Sequence, residues 1–211
     1  MDFFAGSCPT AQAVLELNRE DGGNRRFIMV QLPEPTGNAE FPTIAAIGKE
    51  RIRRVIAKMK KGEEGKLDLS TRDKPEDLGF KIFKLTTSNY RPWTGIEKKD
   101  QEGYAKTIEL FADPLVEGWK PENVIYEAAI KEGYGLNCQI EPVQGIEGNT
   151  VCRVTDPDKE QSFYICLDDH LDLSALKALL LTREDMLICR DTALDDSAAA
   201  NLALQCRLKT I

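Results

Sequence analysis

The chain reads as an α/β protein: a β-α-β-α-β half of a doubly wound sheet, followed by a smaller α/β unit. Three observations predict this. The opening Asp2-Phe3-Phe4 has the character of a buried strand end and turns through Ala5-Gly6-Ser7 into a helix starting near Pro9 and Thr10. A second apolar run, Arg26 to Leu32, is halted by Pro33 and Pro35. A third, Gly79 to Leu85, alternates apolar and polar residues, as a strand requires.

Taken in order, Thr10 to about Asn18 is rich in helix formers, with Ala13, Val14 and Leu17 expected to face the core. Asp21-Gly22-Gly23-Asn24 is a turn, so strand, helix, turn and strand make one βαβ unit with a parallel pair. Thr43 to Lys61 predicts a long amphipathic helix whose Ile44, Ile47, Ile52, Val55, Ile56 and Met59 recur at helical spacing. Gly62 ends it, and an exposed loop is expected through Asp77. Residues 86–121 are irregular, with a turn at Pro92-Trp93-Thr94-Gly95 and a helix or excursion over Lys98 to Phe111. Periodicity resumes with a helix over Glu122 to Glu132, burying Val124, Ile125, Ala128, Ala129 and Ile130, and capped by Gly133-Tyr134-Gly135. Strands are expected at Gln139–Val143, Asn149–Val154, Ser162–Leu167, Met186–Cys189 and Arg207–Ile211, with helices at Leu173–Leu181 and Ser197–Gln205. The domain reading is a first unit over 1–90, a connection over 91–121 and a second unit over 122–211.

The 211 residues carry a formal net charge of −7, which gives the whole chain no nucleic-acid footprint. Lys49 to Arg54 and Lys58 to Lys61 are locally basic and read as a solvated helical face. Six cysteines without a Cys-x-x-Cys pair read as reduced core thiols, not as a zinc or redox site. No stretch is long and apolar enough to be a signal or membrane segment, so a cytoplasmic protein is expected.

The chemistry concentrates at the opening. A strand, a small-residue turn and a helix N-terminus form a ligand cradle, because glycine allows close backbone approach and free N–H groups face the ligand. Glu34, past the second strand, stands where nucleotide-binding α/β folds bond ribose hydroxyls. A dinucleotide oxidoreductase is disfavoured because Gly6 lacks the further glycines of that fingerprint. Asp168-Asp169-His170, Asp191, Asp195 and Asp196 read as turn and cap residues. Trp93 reads equally as a base-stacking or a packing residue.

These residues also carry a family resemblance. Asp2 to Ser7, Ala11 to Asn18, Glu20 to Ile28, Gln31 to Pro35, Ile47 to Arg54, Gly79 to Leu85, Cys166-Leu167-Asp168 and Leu208 to Ile211 together resemble adenine-specific DNA methyltransferases. The similarity is to the modification subunit of type III restriction–modification systems. It implies a Rossmann-like methyltransferase fold, S-adenosylmethionine as methyl donor, and DNA as substrate of the intact enzyme. In that family the catalytic acidic-Pro-Pro-Tyr motif precedes the cofactor motif; no Pro-Pro dipeptide occurs here, so no catalytic residue is assigned. The cofactor residues implied are Asp2, Phe3, Ala5, Gly6, Ser7 and Thr10, with Glu34 toward the ribose. Asp2 is expected at the amino-acid end of the donor and the Ala5–Ser7 backbone at its carboxylate. The family's Gly-Ser-Gly-Thr-Thr is replaced by Gly6-Ser7-Cys8-Pro9-Thr10, so Cys8 stands where a glycine is usual.

The expectation is therefore the C-terminal portion of an N6-adenine DNA methyltransferase, inactive alone. Its partners would be a missing N-terminal catalytic half or a second copy, and, by family, a restriction subunit. The rival reading is a non-catalytic interaction module, or a degenerate remnant pairing with a separate catalytic fragment. No metal and no membrane partner is expected.

Overall fold

A computed structural model describes residues 1–62, 76–92 and 101–211. The architecture is mixed α/β, and the chain divides into two compact units, Met1–Ile82 and Phe83–Ile211.

The second unit is built on a five-stranded mixed sheet in the order β1-β2-β3-β4-β5. Its strands are β1 Gln139–Pro142, β2 Val151–Asp156, β3 Gln161–Cys166, β4 Met186–Cys189 and β5 Arg207–Thr210. β1, β2 and β3 are antiparallel neighbours, whereas β3, β4 and β5 run parallel. Parallel neighbours need crossovers, and the chain supplies helical ones. A short helix at Leu173–Leu176 continued by a 3₁₀ turn joins β3 to β4, and a helix at Asp196–Gln205 joins β4 to β5.

Side-chain alternation explains why this sheet holds. Val154, Phe163, Ile165, Met186 and Ile188 point to one face, where the helix Pro121–Lys131 covers them with Val124, Ile125, Ala128 and Ala129. Val151, Cys166, Leu187 and Cys189 point to the other, under Leu171, Leu176, Ala193, Leu202 and Cys206. Both faces being covered, Met186–Cys189 is buried at every position, which is why it reads as an unbroken apolar run. Ile130 departs from expectation: at 53% exposed it lies off the buried face of its helix. The irregular stretch before that helix is strapped to it. Glu127 accepts from the Asn89 N–H (2.7 Å) and from the Asn89 side chain (2.9 Å), and also from the Ser88 hydroxyl. A helix spans Gln101–Ala112; Trp93 and the turn around it lie outside the described residues.

The first unit departs most from the sequence reading. Its helices are as expected: α1 covers Pro9–Asp21 and α2 covers Ile44–Lys61, with Thr43 accepting the Ala46 N–H as N-cap. Its three expected strands do not form ladders. Asp2–Phe4 and Arg26–Leu32 meet in one parallel bridge, Asp2 to Met29, held by three backbone bonds: Asp2 N–H to Ile28 O, Val30 N–H to Asp2 O and Ala5 N–H to Val30 O. Gly79–Leu85 forms no strand, and Leu85 is fully exposed. The β-α-β-α-β order is thus reduced to one parallel contact across α1. The physical reason is burial: Phe27, Met29 and Phe80 pack against the small core of this unit, but Phe3, Phe4, Ile28 and Leu32 are exposed and not core. α1 also turns a different face inward, burying Ala11 and Leu15 while Ala13 and Leu17 are exposed. Ala11 and Leu15 pack with Ala5, Cys8, Ile52, Ile56 and Met59 in a small core, whereas Ile47 lies outside it. Among the described residues no helix is long and apolar enough to cross a membrane.

Two measurements test this core. Phe163, fully buried and edge-on to Tyr134 at 4.9 Å, should cost about 3–5 kcal/mol when changed to Ala, read as a lower urea midpoint. Burial pushes the thiol of Cys166 up to about 11 and that of Cys189 to about 12 from the ordinary 9.0. Folded thiols that hold protons more tightly than unfolded ones contribute stability fully below about pH 9 and lose it as pH rises toward 11 and 12. The urea midpoint should therefore decline above pH 9, and Cys189→Ala should flatten that decline.

Candidate functional site

The parallel contact of Asp2 with Met29 sets the geometry of the opening loop. It aligns Ala5 with Val30, which places the Ala5-Gly6-Ser7 turn directly over the end of the second segment. There the Gly6 N–H donates to Gln31 Oε1 at 2.7 Å. Gly6 has a φ of +51°, and no atom lies within 4 Å of where a Cβ would stand. The turn therefore presents bare backbone to open space.

Asp2 closes the loop from the other side. Its Oδ1 accepts the Phe4 N–H (3.1 Å) and its Oδ2 accepts the Thr10 hydroxyl (2.8 Å). A carboxylate has about four acceptor sites, so these two bonds do not exhaust it. Ala5 is buried, Ser7 is half-buried, and Phe3 and Phe4 project outward. Thr10 stands in the first turn of α1, where the leading N–H groups have no intrahelical partner. Glu34 is exposed; its backbone carbonyl, not its carboxylate, does the visible work by accepting the Ile44 N–H at the start of α2.

Cys8, which replaces the usual glycine, does adopt the left-handed conformation that glycine favours, with φ 60° and ψ 46°. Its side chain does not enter the open space over Gly6. It is 6% exposed and tucked against α2, where a Cβ on Gly48 would lie 2.6 Å from its sulfur and 3.2 Å from the Gly6 carbonyl. Burial, then the charge of Asp2, raise the thiol pKa, with Arg51 opposing. Glycine at position 48 is what lets the helix approach the loop so closely.

Four contributors escape the sequence reading: Gln12, Gln31, Gly48 and Arg51. Arg51 donates to Ser7 Oγ (2.9 Å) and to Gln12 Oε1 (3.0 Å), tying α2 to the turn and to α1. Gly48 carried a usable signal, since an isolated helical glycine marks close backbone approach. Gln31, inside the apolar run Arg26 to Leu32, carried no signal of its own. Arg51 was hidden within a generally basic helix. Beside Ser7, α2 borders an open concavity of about 480 Å³, with Phe41, Ile47 and Val55 as apolar lining and Arg51, Arg54 and Lys58 among its polar neighbours.

The acidic cluster of the second unit closes a loop. Asp168 Oδ2 accepts from the Thr150 N–H (2.7 Å) and Asn149 Nδ2 (3.0 Å), and the same amide donates to the His170 carbonyl. Asp172 and Asp195 cap the helices that follow them. Asp169 pairs with Arg190, which also reaches Asp113 at 2.9 Å.

Gly48→Ala tests the loop packing. In an exposed helix the change would stabilise by about 1 kcal/mol. Here it should lower the urea midpoint, and the loss should shrink in a Cys8→Gly background, where the sulfur is gone.

Three curated proteins are similar to this chain. The Mod subunit of the type III restriction-modification enzyme StyLTI of Salmonella typhimurium is 36% identical over 106 residues, covering 47% of this chain and 15% of that protein. The Mod subunit of EcoPI from Escherichia phage P1 is 39% identical over 89 residues, covering 39% and 12%. The Mod subunit of EcoP15I from Escherichia coli is 34% identical over 122 residues, covering 55% and 15%. The resemblance to type III modification subunits is thus shown over part of the chain, which spans at most 15% of these relatives' length. No family model matches the chain.

Proposed function

We propose that this chain is the C-terminal, cofactor-binding portion of an S-adenosylmethionine-dependent N6-adenine DNA methyltransferase of a type III restriction–modification system, working in the cytoplasm. The observation that carries the reading is the loop at Gly6, with bare backbone under open space and the Asp2 carboxylate beside it. In this reading the free acceptor capacity of Asp2 takes the ammonium of the donor's amino-acid end. The Ala5–Ser7 backbone approaches the donor's carboxylate, Thr10 holds Asp2 in place, and Phe3 flanks the ligand. Glu34 reaches the ribose. Cys8 is compatible because its sulfur is turned toward Gly48 and leaves the cradle open.

When bound, the donor supplies an electrophilic methyl group. What these residues add is orientation, which matters because transfer requires the target amino nitrogen in line with that methyl. Reaching an adenine amino group inside a duplex also requires a pocket for an extruded base. The acidic-Pro-Pro-Tyr motif that grips the base in relatives of this family does not occur in this chain, so we assign it no methylation by itself.

A second reading has its own observation. Phe3 at 61%, Phe4 at 93% and Leu32 at 68% exposure surround a two-segment parallel contact with unpaired edges. Such a surface suits an interaction module that receives further strands from a separate catalytic fragment or a second copy.

Titration calorimetry with S-adenosylmethionine separates the two. The cofactor reading expects saturable heat, and Asp2→Ala should weaken binding by about tenfold, the loss of a charge-assisted contact. Absence of heat at millimolar ligand, with a dimeric mass on size exclusion, would favour the interaction module.

A further inference from the structure

Arg51 touches the opening turn without a part in the donor site as described so far. Its half-buried guanidinium donates from Nη1 to Ser7 Oγ at 2.9 Å and from Nε to Gln12 Oε1 at 3.0 Å. A guanidinium has five N–H donors and no acceptor, so the direction of both bonds is fixed. The other end of Gln12 agrees with this. Its Nε2 donates to Glu16 Oε1 at 2.8 Å, which leaves its carbonyl oxygen for Arg51. Gln12 is locked between a carboxylate and a cation, and Arg51 is locked in turn against Ser7.

This series of bonds ends on a hydrogen. Because Ser7 Oγ accepts from Arg51, its own O–H is directed away from the guanidinium, and among the described residues no group accepts it. Ser7 and Arg51 both border the open concavity beside the turn, so a ligand there has access to that hydroxyl. The acid in the same lining, Glu50, is engaged by Arg54 at 2.8 Å, and among the described residues no carboxylate pairs with Arg51. Its charge is therefore left to act on Ser7, and a hydroxyl polarised by a cation is a stronger donor than a free one.

The charges around the turn are the second observation. Asp2 meets the turn through Phe4 and Thr10, and Arg51 meets it through Ser7 and Gln12. The Cys8 thiol registers both: burial and then Asp2 push its pKa up, while Arg51 pulls it down. An α-amino acid group carries an ammonium and a carboxylate on one carbon. An anion at one part of a turn and a cation-backed hydroxyl at another complement both ends of such a group.

We propose, on the cofactor reading above, that Arg51 is a positioning residue of the donor site: it turns the Ser7 hydroxyl outward, and that hydroxyl donates to the carboxylate of the methyl donor.

The test is titration calorimetry of the full chain with S-adenosylmethionine and with its decarboxylated form, which keeps the ammonium and the sulfonium. The parent should bind the first about tenfold more tightly, the worth of one hydrogen bond to a charged group. Arg51→Gln and Ser7→Ala should each abolish that preference, weakening the first ligand about tenfold and leaving the second unchanged. Combined, they should weaken it no further than either alone, as two members of one path do. Arg53→Gln, an equal loss of charge at an exposed position of the same helix, should bind both ligands as the parent does. Circular dichroism melts check that each variant is folded, and Ser7→Ala reports on the path even where Arg51→Gln does not fold. A parent without the preference, a folded variant that keeps it, or equal weakening of both ligands overturns the role of Arg51 and leaves the cofactor reading standing, since the donor still binds. Absence of heat from the parent with either ligand overturns the cofactor reading and this proposal together.

Discussion

The organisation of the first unit depends on three backbone hydrogen bonds between the opening segment and residues 28–30. They are few, and they bury little. Yet they fix the register that brings Gly6 over Gln31 and leaves Asp2 facing Thr10. Slipping that contact by one residue would turn every side chain of the segment to the opposite side. Everything else at the loop follows from it: the tuck of Cys8 against Gly48, the reach of Arg51 to Ser7, and the open space above the turn.

The two units rest on different physics. The second is held by a sheet covered on both faces, with Phe163 and Ile165 under one helix and Leu187 and Cys189 under others. Conformational entropy lost in ordering it is offset by dense apolar burial. The first has a much smaller core, assembled mainly from α1, α2 and the Cys8 turn. Its loop is accordingly held by polar ties, among them the Asp2–Thr10 and Arg51–Gln12 bonds. A loop on such a support is easier to deform than the second unit's sheet.

This contrast also explains how legible each unit is in the sequence. Met186–Cys189 and the Asp196–Gln205 helix read correctly because an uninterrupted apolar strand and a capped helix each have one sensible placement. Phe3-Phe4, Ile28–Leu32 and Ile82–Phe83 carry the same signal of apolar runs, yet Phe3, Phe4, Ile28, Val30, Leu32, Ile82 and Phe83 are exposed. A hydrophobic run states that side chains favour burial, not what will bury them. The face of α1 was misread for a related reason. Val14 and Leu17 outweigh Ala11 on any hydrophobicity scale, yet it is Ala11, together with Leu15, that joins Cys8 and the α2 residues in the core. At the candidate site, the residues of the turn were legible from their small size and order. Gln31 and Arg51 were not, because both act through long side chains whose reach depends on distant backbone.

The separation of charge along the chain has a wider meaning. Residues 83–211 hold 22 acidic against 14 basic side chains, while α2 alone holds the opposite surplus. In dilute electrolyte the net acidic residues of one copy would attract the cationic helix of another. Added ions would weaken that attraction, because exposed charges are screened over about 8–10 Å. Self-association through the helix would accordingly be strongest at low salt and high protein concentration.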